Sequence, residues 1–173
     1  DVSIAMVQKM VPTYLAAFAI AQLIIGPLSD RFGRRIIVLC GIIIFIIASL
    51  LCAFSDDISV LLISRLAQAT GACSTLVISR AIIRDTSEGV AAARAMSYVA
   101  IAMAVGPIMA PFVGGFLTAW FGWRATFIFT SSIGIIVFTS VFLMLKETLP
   151  PEKRNPPKVT QLFETYRSLL RNK

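Results

Sequence analysis

The chain has 173 residues, of which 57% are hydrophobic and only 14% charged, with a net charge of +7. Soluble domains carry about a quarter charged residues, and the apolar residues here run in long unbroken blocks, which excludes an ordinary soluble domain. The positive charge does not mark a nucleic-acid surface either, because the basic residues fall between the apolar blocks and in the C-terminal tail, as in loops that border a bilayer.

A bilayer core about 30 Å thick takes roughly 20 apolar helical residues at about 1.5 Å each. Five segments meet that requirement in chain order: 3–29, with its apolar core from Val11 to Ser29; 36–54; 58–83; 95–117; and 125–145. Helices are the form such segments must take, since lipid offers no partner for an unpaired backbone N–H. Residues 1–145 are thus predicted to form an all-α polytopic membrane bundle of five transmembrane helices. Residues 146–173 form a basic linker. In it Pro150, Pro151, Pro156 and Pro157 make a stiff exit, and Leu162, Phe163, Tyr166, Leu169 and Leu170 recur at helical spacing. That segment reads equally as an amphipathic helix on the membrane surface or as an ordinary linker helix.

Lys and Arg counts set the orientation. The link 30–35 holds Arg31, Arg34 and Arg35, the link after the third span holds Arg84 and Arg94, and the tail holds seven more basic residues from Lys146 to Lys173. The opposite links hold only Arg124, and Ser55 to Asp57 is acidic. The basic side is expected to be cytoplasmic, so the chain starts outside and ends inside, with Trp120, Phe121 and Trp123 in the outer aromatic belt. An outside start with five spans implies an earlier helix absent from this chain.

Within the first span Tyr14, Phe18 and Gln22 share a face, and Tyr14 and Gln22 are candidate cavity-lining residues. At its end, Asp30 sits where the helix dipole is negative, which disfavours a carboxylate by a few tenths to about 1 kcal/mol. Asp30 therefore answers to a nearby Arg or to the N-terminus of another helix; alternatively it caps the next helix while the arginines hold lipid phosphates. Residue types leave both open. Gly33 permits a sharp turn there.

The third span carries Arg65, a charge costing roughly 2.5–3.5 kcal/mol to insert. Arg65, Gln68, Ala72, Thr75 and Ser79 fall within an arc of roughly 80°, a polar stripe that points to the bundle interior or a wet cavity. Gln68 and Thr75 join the cavity-lining candidates. The competing reading is a structural Arg bonded to backbone carbonyls. No carboxylate lies within any span, so the expected partner is either a carboxylate on the absent helix or a backbone carbonyl. The fourth span spaces Ala102, Gly106, Ala110 and Gly114 four apart, a seam that lets another helix approach closely. Pro107 and Pro111 bend it, and Gly115 adds freedom. The chain has no histidine, and Cys40, Cys52 and Cys73 read as small hydrophobes, so neither a metal centre nor a bound cofactor is expected. No nucleophile–base pair suggests an enzyme.

Three stretches resemble motifs of the major facilitator superfamily. Gly26-Pro27-Leu28-Ser29-Asp30-Arg31-Phe32-Gly33-Arg34-Arg35 is similar to the loop between helices 2 and 3 of that family at every fixed position. Arg65-x-x-Gln68-x-x-Gly71 resembles the helix 4 motif whose arginine is linked to proton transfer. Gly106-Pro107-x-x-Ala110-Pro111-x-x-Gly114-Gly115 resembles the helix 5 antiporter motif, with Ala110 where glycine is more common. Gln22-Leu23, Arg84-Asp85 and Lys146-Glu147-Thr148-Leu149-Pro150 are similar to the Bcr/CflA group of bicyclomycin-resistance-type exporters.

The resemblance implies helices 2 to 6 of a twelve-helix fold, with helix 1 and the second six-helix half as partners. It implies alternating access driven by a proton gradient and an amphipathic small substrate, in a cell inner membrane. Arg34 would pair with Asp85 at the cytoplasmic gate, and Asp30 would face a helix of the second half. An uptake carrier of the same fold, or a non-transporting fragment, are the competing readings.

Overall fold

A computed structural model describes residues 10–150, 152 and 154. It contains five helices: α1 (Met10–Phe32), α2 (Arg34–Phe54), α3 (Ile58–Thr86), α4 (Gly89–Phe121) and α5 (Arg124–Met144). Each is long and apolar enough to cross a membrane. Large apolar side chains face outward along all five, among them Ile20, Ile63, Phe112, Ile136 and Leu143. In water such a surface would aggregate; in lipid it is the contact the bilayer requires. The expected start of the first span before Met10 and the tail segment around residues 162–170 lie outside the described residues.

The helices outrun the apolar blocks. The link expected at 30–35 shrinks to Gly33 alone, the link expected at 84–94 shrinks to Ser87 and Glu88, and α4 extends beyond 95–117 at both ends. The reason is physical: hydropathy marks where a helix lies in lipid, whereas a helix ends only where its backbone is capped or turned. Gly33 and Gly122 make such turns with φ of 100° and 81°. Asp57 caps α3 by accepting from the Ser59 N–H at 2.8 Å. At 33 residues, α4 is about 50 Å long, well beyond a hydrocarbon core of about 30 Å.

The packing core lies between α1, α2 and α3, with α5 laid against α2. Ala21, Ile25, Val38, Ile42, Cys73 and Ile78 are buried together, with Phe18, Ile46, Phe138 and Val141 packed around them. The tightest approach joins α2 and α3. A Cβ on Gly71 would sit 2.5 Å from the Gly41 carbonyl oxygen and 2.7 Å from the Phe45 nitrogen, and a Cβ on Gly41 would run into Ser74. The two backbones are therefore in direct contact. By contrast α4 packs lightly, chiefly on α5 and α3, and buries no residue among the described ones.

Candidate functional site

Two polar clusters interrupt the apolar bundle. One sits at the end of the bundle where α1 turns into α2. Arg34 opens α2 and is buried. Its Nη1 lies 2.6 Å from Asp30 and also donates to the Ser29 hydroxyl, while its Nε donates to Asp85 at 3.0 Å. One guanidinium thus holds the last turn of α1 and the last turn of α3 together through two carboxylates. Asp30 does not cap the following helix: it lies inside α1, and Gly33 is the N-cap residue of α2, with no side-chain cap bond. The physical reason is that α1 continues past Asp30 to Phe32, so Asp30 faces Arg34 one turn on instead of the amides of the next helix.

Glu147, just beyond α5, completes this cluster. Its Oε1 accepts from the Arg34 backbone N–H at 2.9 Å and from the Leu149 N–H at 3.1 Å, and its Oε2 lies 3.7 Å from Arg154. A carboxylate at a helix N-terminus meets both unpaired amides and the positive end of the dipole. Gly33 is confined here twice over, since its φ is positive and a Cβ would strike the Glu147 carboxylate. Glu147 stands in the stretch that resembles the Bcr/CflA group, but its pairing with Arg34 was not legible, because the two are 113 positions apart. Arg35 donates to the Phe142 carbonyl at 2.9 Å and lies over the Phe142 ring, tying α2 to α5. Arg31 is exposed, against the Phe32 ring. A Cβ at Gly26 would meet no described atom within 4 Å, and the Gly26 carbonyl accepts from the Ser29 hydroxyl.

The second cluster surrounds Arg65, seven residues into α3. Its Nη1 donates to Gln68 Oε1 at 2.8 Å. Its guanidinium carbon lies 5.5 Å from the centroid of the Tyr14 ring and 5.0 Å from that of Phe127. The expected backbone carbonyl does not accept from Arg65 among the described residues; the partner found there is a neutral amide flanked by two aromatic faces. Residues three apart on a helix meet, and aromatic faces attract a desolvated cation. The Arg65 Nε is buried and has no hydrogen-bond partner among the described residues.

Among the described residues the cavity-lining candidates do not share one pocket. Gln68 is 2% exposed and turns into the α2–α3 interface, where its Nε2 donates to Ser49 at 2.8 Å. Thr75 lines a crevice of about 200 Å³ between α2, α3 and α5, and its hydroxyl donates to Ala72. Tyr14 stacks on Phe18 beside Arg65, while Gln22 lies on the exposed face of α1. At the end opposite Arg34, a cavity of about 430 Å³ is lined by Met10, Leu61, Trp123, Arg124, Phe127 and the Asp56–Asp57 turn. Arg124 binds Asp56 there and stacks on Trp123. The α4 seam of Gly106, Pro107, Ala110, Pro111, Gly114 and Gly115 is open: a Cβ at Gly106, Gly114 or Gly115 would touch nothing within 4 Å. The close helix expected against it is not among the described residues.

Fold and clusters together define a polytopic helical membrane protein with a helix-end charge hub and a guanidinium, Arg65, deep in a span. The chain belongs to the Major Facilitator Superfamily, whose sequence pattern matches residues 1–173. It is 38% identical over 173 residues to the MFS-type transporter YdgK of Bacillus subtilis, covering 99% of this chain and 43% of that one. To the multidrug resistance protein D of Escherichia coli it is 32% identical over 166 residues, covering 96% and 41%. To the bicyclomycin resistance protein homolog of Haemophilus influenzae it is 28% identical over 173 residues, covering 100% and 44%. Among solved structures, the human organic anion transporter MFSD10 superposes with a TM-score of 0.70 at 25% identity, over 84% of this chain and 33% of that chain. The chain spans about two fifths of the length of these curated relatives.

Proposed function

We propose that the chain supplies five helices of one half of a proton-coupled exporter of amphipathic small molecules, which works by alternating access across a cell inner membrane. The observation that carries the reading is Arg65: a guanidinium deep in a span, held by an amide and two rings, with a buried Nε and no acid paired to it among the described residues. Such a group is expensive to keep in lipid and is retained where charge has to move. The proton carboxylate then belongs to the part of the protein outside this chain, as does the helix that closes on the α4 seam. The relatives named for multidrug and bicyclomycin resistance support an exported drug-like substrate. The fold supplies no bound cofactor in this reading; the energy source is the proton gradient, and the protein is a carrier and not an enzyme. The test is proton-gradient discharge in everted vesicles holding the full-length protein. Addition of a lipophilic amphipathic substrate is expected to collapse a preset pH gradient. Vesicles that accumulate substrate only when the gradient is reversed would establish uptake instead.

In the same reading the Arg34 end faces the cytoplasm. Asp57 and Ser87 are the cap residues at opposite ends of α3. Single cysteines there, in a background without Cys40, Cys52 and Cys73, are expected to react with an impermeant reagent from outside and inside respectively. Reaction of both from outside overturns the orientation.

The Arg34 hub is the natural inner gate, because one buried guanidinium joins α1 and α3 through Asp30 and Asp85. Arg34→Ala and Asp85→Ala are each expected to impair transport, and the two to couple by roughly 1–3 kcal/mol in a double-mutant cycle. The exchanged pair, Arg34→Asp with Asp85→Arg, is expected to recover part of the activity. Additive losses would mean that the two act independently.

A further inference from the structure

Arg65 does not rest on Gln68 alone. The Gln68 amide is itself held from the neighbouring helix: its Nε2 donates to the Ser49 hydroxyl of α2 at 2.8 Å, and that hydroxyl donates to the Phe45 carbonyl at 2.7 Å. Ser49 is fully buried and Gln68 nearly so. A serine hydroxyl has one proton to give, and here the Phe45 carbonyl takes it, so Ser49 can only accept from Gln68. Gln68 must then present its nitrogen to α2 and its oxygen to Arg65. A flipped amide would set its oxygen against the Ser49 oxygen, with no proton between them, and would face Arg65 with an N–H against its own donors. The hydrogen-bond directions of the whole line are therefore fixed from the α2 backbone outward.

The close α2–α3 contact makes this line possible. Gly71 lets the Phe45 backbone approach within contact distance of α3, and Ser49 and Gln68 are the next residues to meet along the same antiparallel seam. The spacing Arg65-x-x-Gln68-x-x-Gly71 then has a single physical meaning: the glycine brings α2 in, the glutamine takes its orientation from α2, and the arginine takes its orientation from the glutamine.

We propose that Ser49 and Gln68 are positioning residues for Arg65, holding its guanidinium in one orientation toward the proton-carrying acid. The proposal rests on the proton-coupling reading of Arg65 given above. The titratable groups near Arg65 on the packed helices are Tyr14 of α1 and Cys52 of α2, both uncharged at neutral pH, and α5 contributes the Phe127 ring. None of them competes for the charge.

The experiment measures substrate binding, melting temperature and the pH profile of proton-driven efflux for the full-length protein and its variants. Ser49→Ala removes one oxygen without adding volume. It is expected to lower efflux at neutral pH about fivefold to tenfold and to leave substrate binding intact. Ser49→Cys, which keeps a weak acceptor, is expected to recover part of that loss. Gln68→Glu gives Arg65 an internal counter-charge. The acid that Arg65 serves then loses its positive neighbour and holds its proton more tightly, so the efflux profile moves alkaline by about one pH unit. Gln68→Glu also decides the matter where Ser49→Ala fails to insert. A lowered melting temperature with an unmoved pH profile in both variants would reduce the line to packing and overturn the proposal. If those profiles stay fixed while Arg65→Ala uncouples efflux from the gradient, positioning is refuted and the proton role of Arg65 stands. If Arg65→Ala is itself silent, both readings fall.

Discussion

Gly71→Leu is expected to abolish assembly of the bundle, and Gly71→Ala to weaken it by about 2–3 kcal/mol or more. The added Cβ meets the Gly41 oxygen at 2.5 Å, the Phe45 nitrogen at 2.7 Å and the Phe45 Cα at 2.9 Å, closer than real Cβ contacts come. These atoms are backbone, so no side-chain rotation relieves the clash, and α2 and α3 have to separate. Separation breaks the Gln68–Ser49 bond and opens the shared core around Ile42, Cys73 and Ile78. Gly26→Ala is the matched control. Gly26 lies in a helix, and an added Cβ there meets no described atom within 4 Å. Alanine there is expected to cost nothing locally, since a helix interior favours alanine over glycine. The measurement is thermal melting of the detergent-solubilised full-length protein together with its yield in membranes. Wild-type melting of Gly71→Ala would mean that the two helices do not touch.

That contact shows what a single sequence conceals. The five spans were legible because lipid demands unbroken apolar helices, and Arg65 was legible because nothing else in the spans carries a charge so deep. Gly41 and Gly71 each stand alone in their helices, so no repeat announced them, whereas the conspicuous small-residue repeat on α4 meets no described helix. The stripe containing Arg65 and Gln68 was readable from a 100° turn per residue, and the two do meet. Its openness was not readable, because Gln68 is covered by Ser49, a residue of another helix with no period in common with it. The helix-end hub divides in the same way. The Arg34–Asp30 contact is local, four residues along the chain. Asp85 and Glu147 reach Arg34 only through the folding back of α3 and α5, 51 and 113 positions away. For Asp85 a family resemblance supplied the pairing; for Glu147 nothing did, although a carboxylate at the start of a helix is a physically ordinary partner for its free amides. The link lengths were overestimated for a related reason: Arg31, Arg84 and Arg94 are too polar for lipid but well suited to a helix that continues into water.

The largest functional effect is expected from Arg65→Ala, which should uncouple efflux from the proton gradient while substrate still binds. The structure gives the reason that binding survives. Truncation leaves Gln68 Oε1 without its donor and removes a cation from between Tyr14 and Phe127, but Gln68 keeps its bond to Ser49 and the α2–α3 contact at Gly71 is untouched. The fold therefore has little cause to change. Loss of coupling follows from charge. An arginine beside a carboxylate lowers that group's pKa by about 1–3 units. Removing the arginine returns the pKa upward, so the proton-dissociation constant of the carrier falls about 10- to 1,000-fold and proton release requires a more alkaline medium. Arg65→Lys separates charge from geometry. Its ammonium keeps the positive field but lacks the planar fork that meets Gln68 through Nη1, so partial activity with a nearly normal pH profile is expected. The assay is pH-dependent efflux in vesicles, with equilibrium substrate binding measured on the same preparations. Efflux by Arg65→Ala at the wild-type rate and with the wild-type pH dependence would make Arg65 a structural residue, bound to Gln68 and two aromatic rings for packing alone.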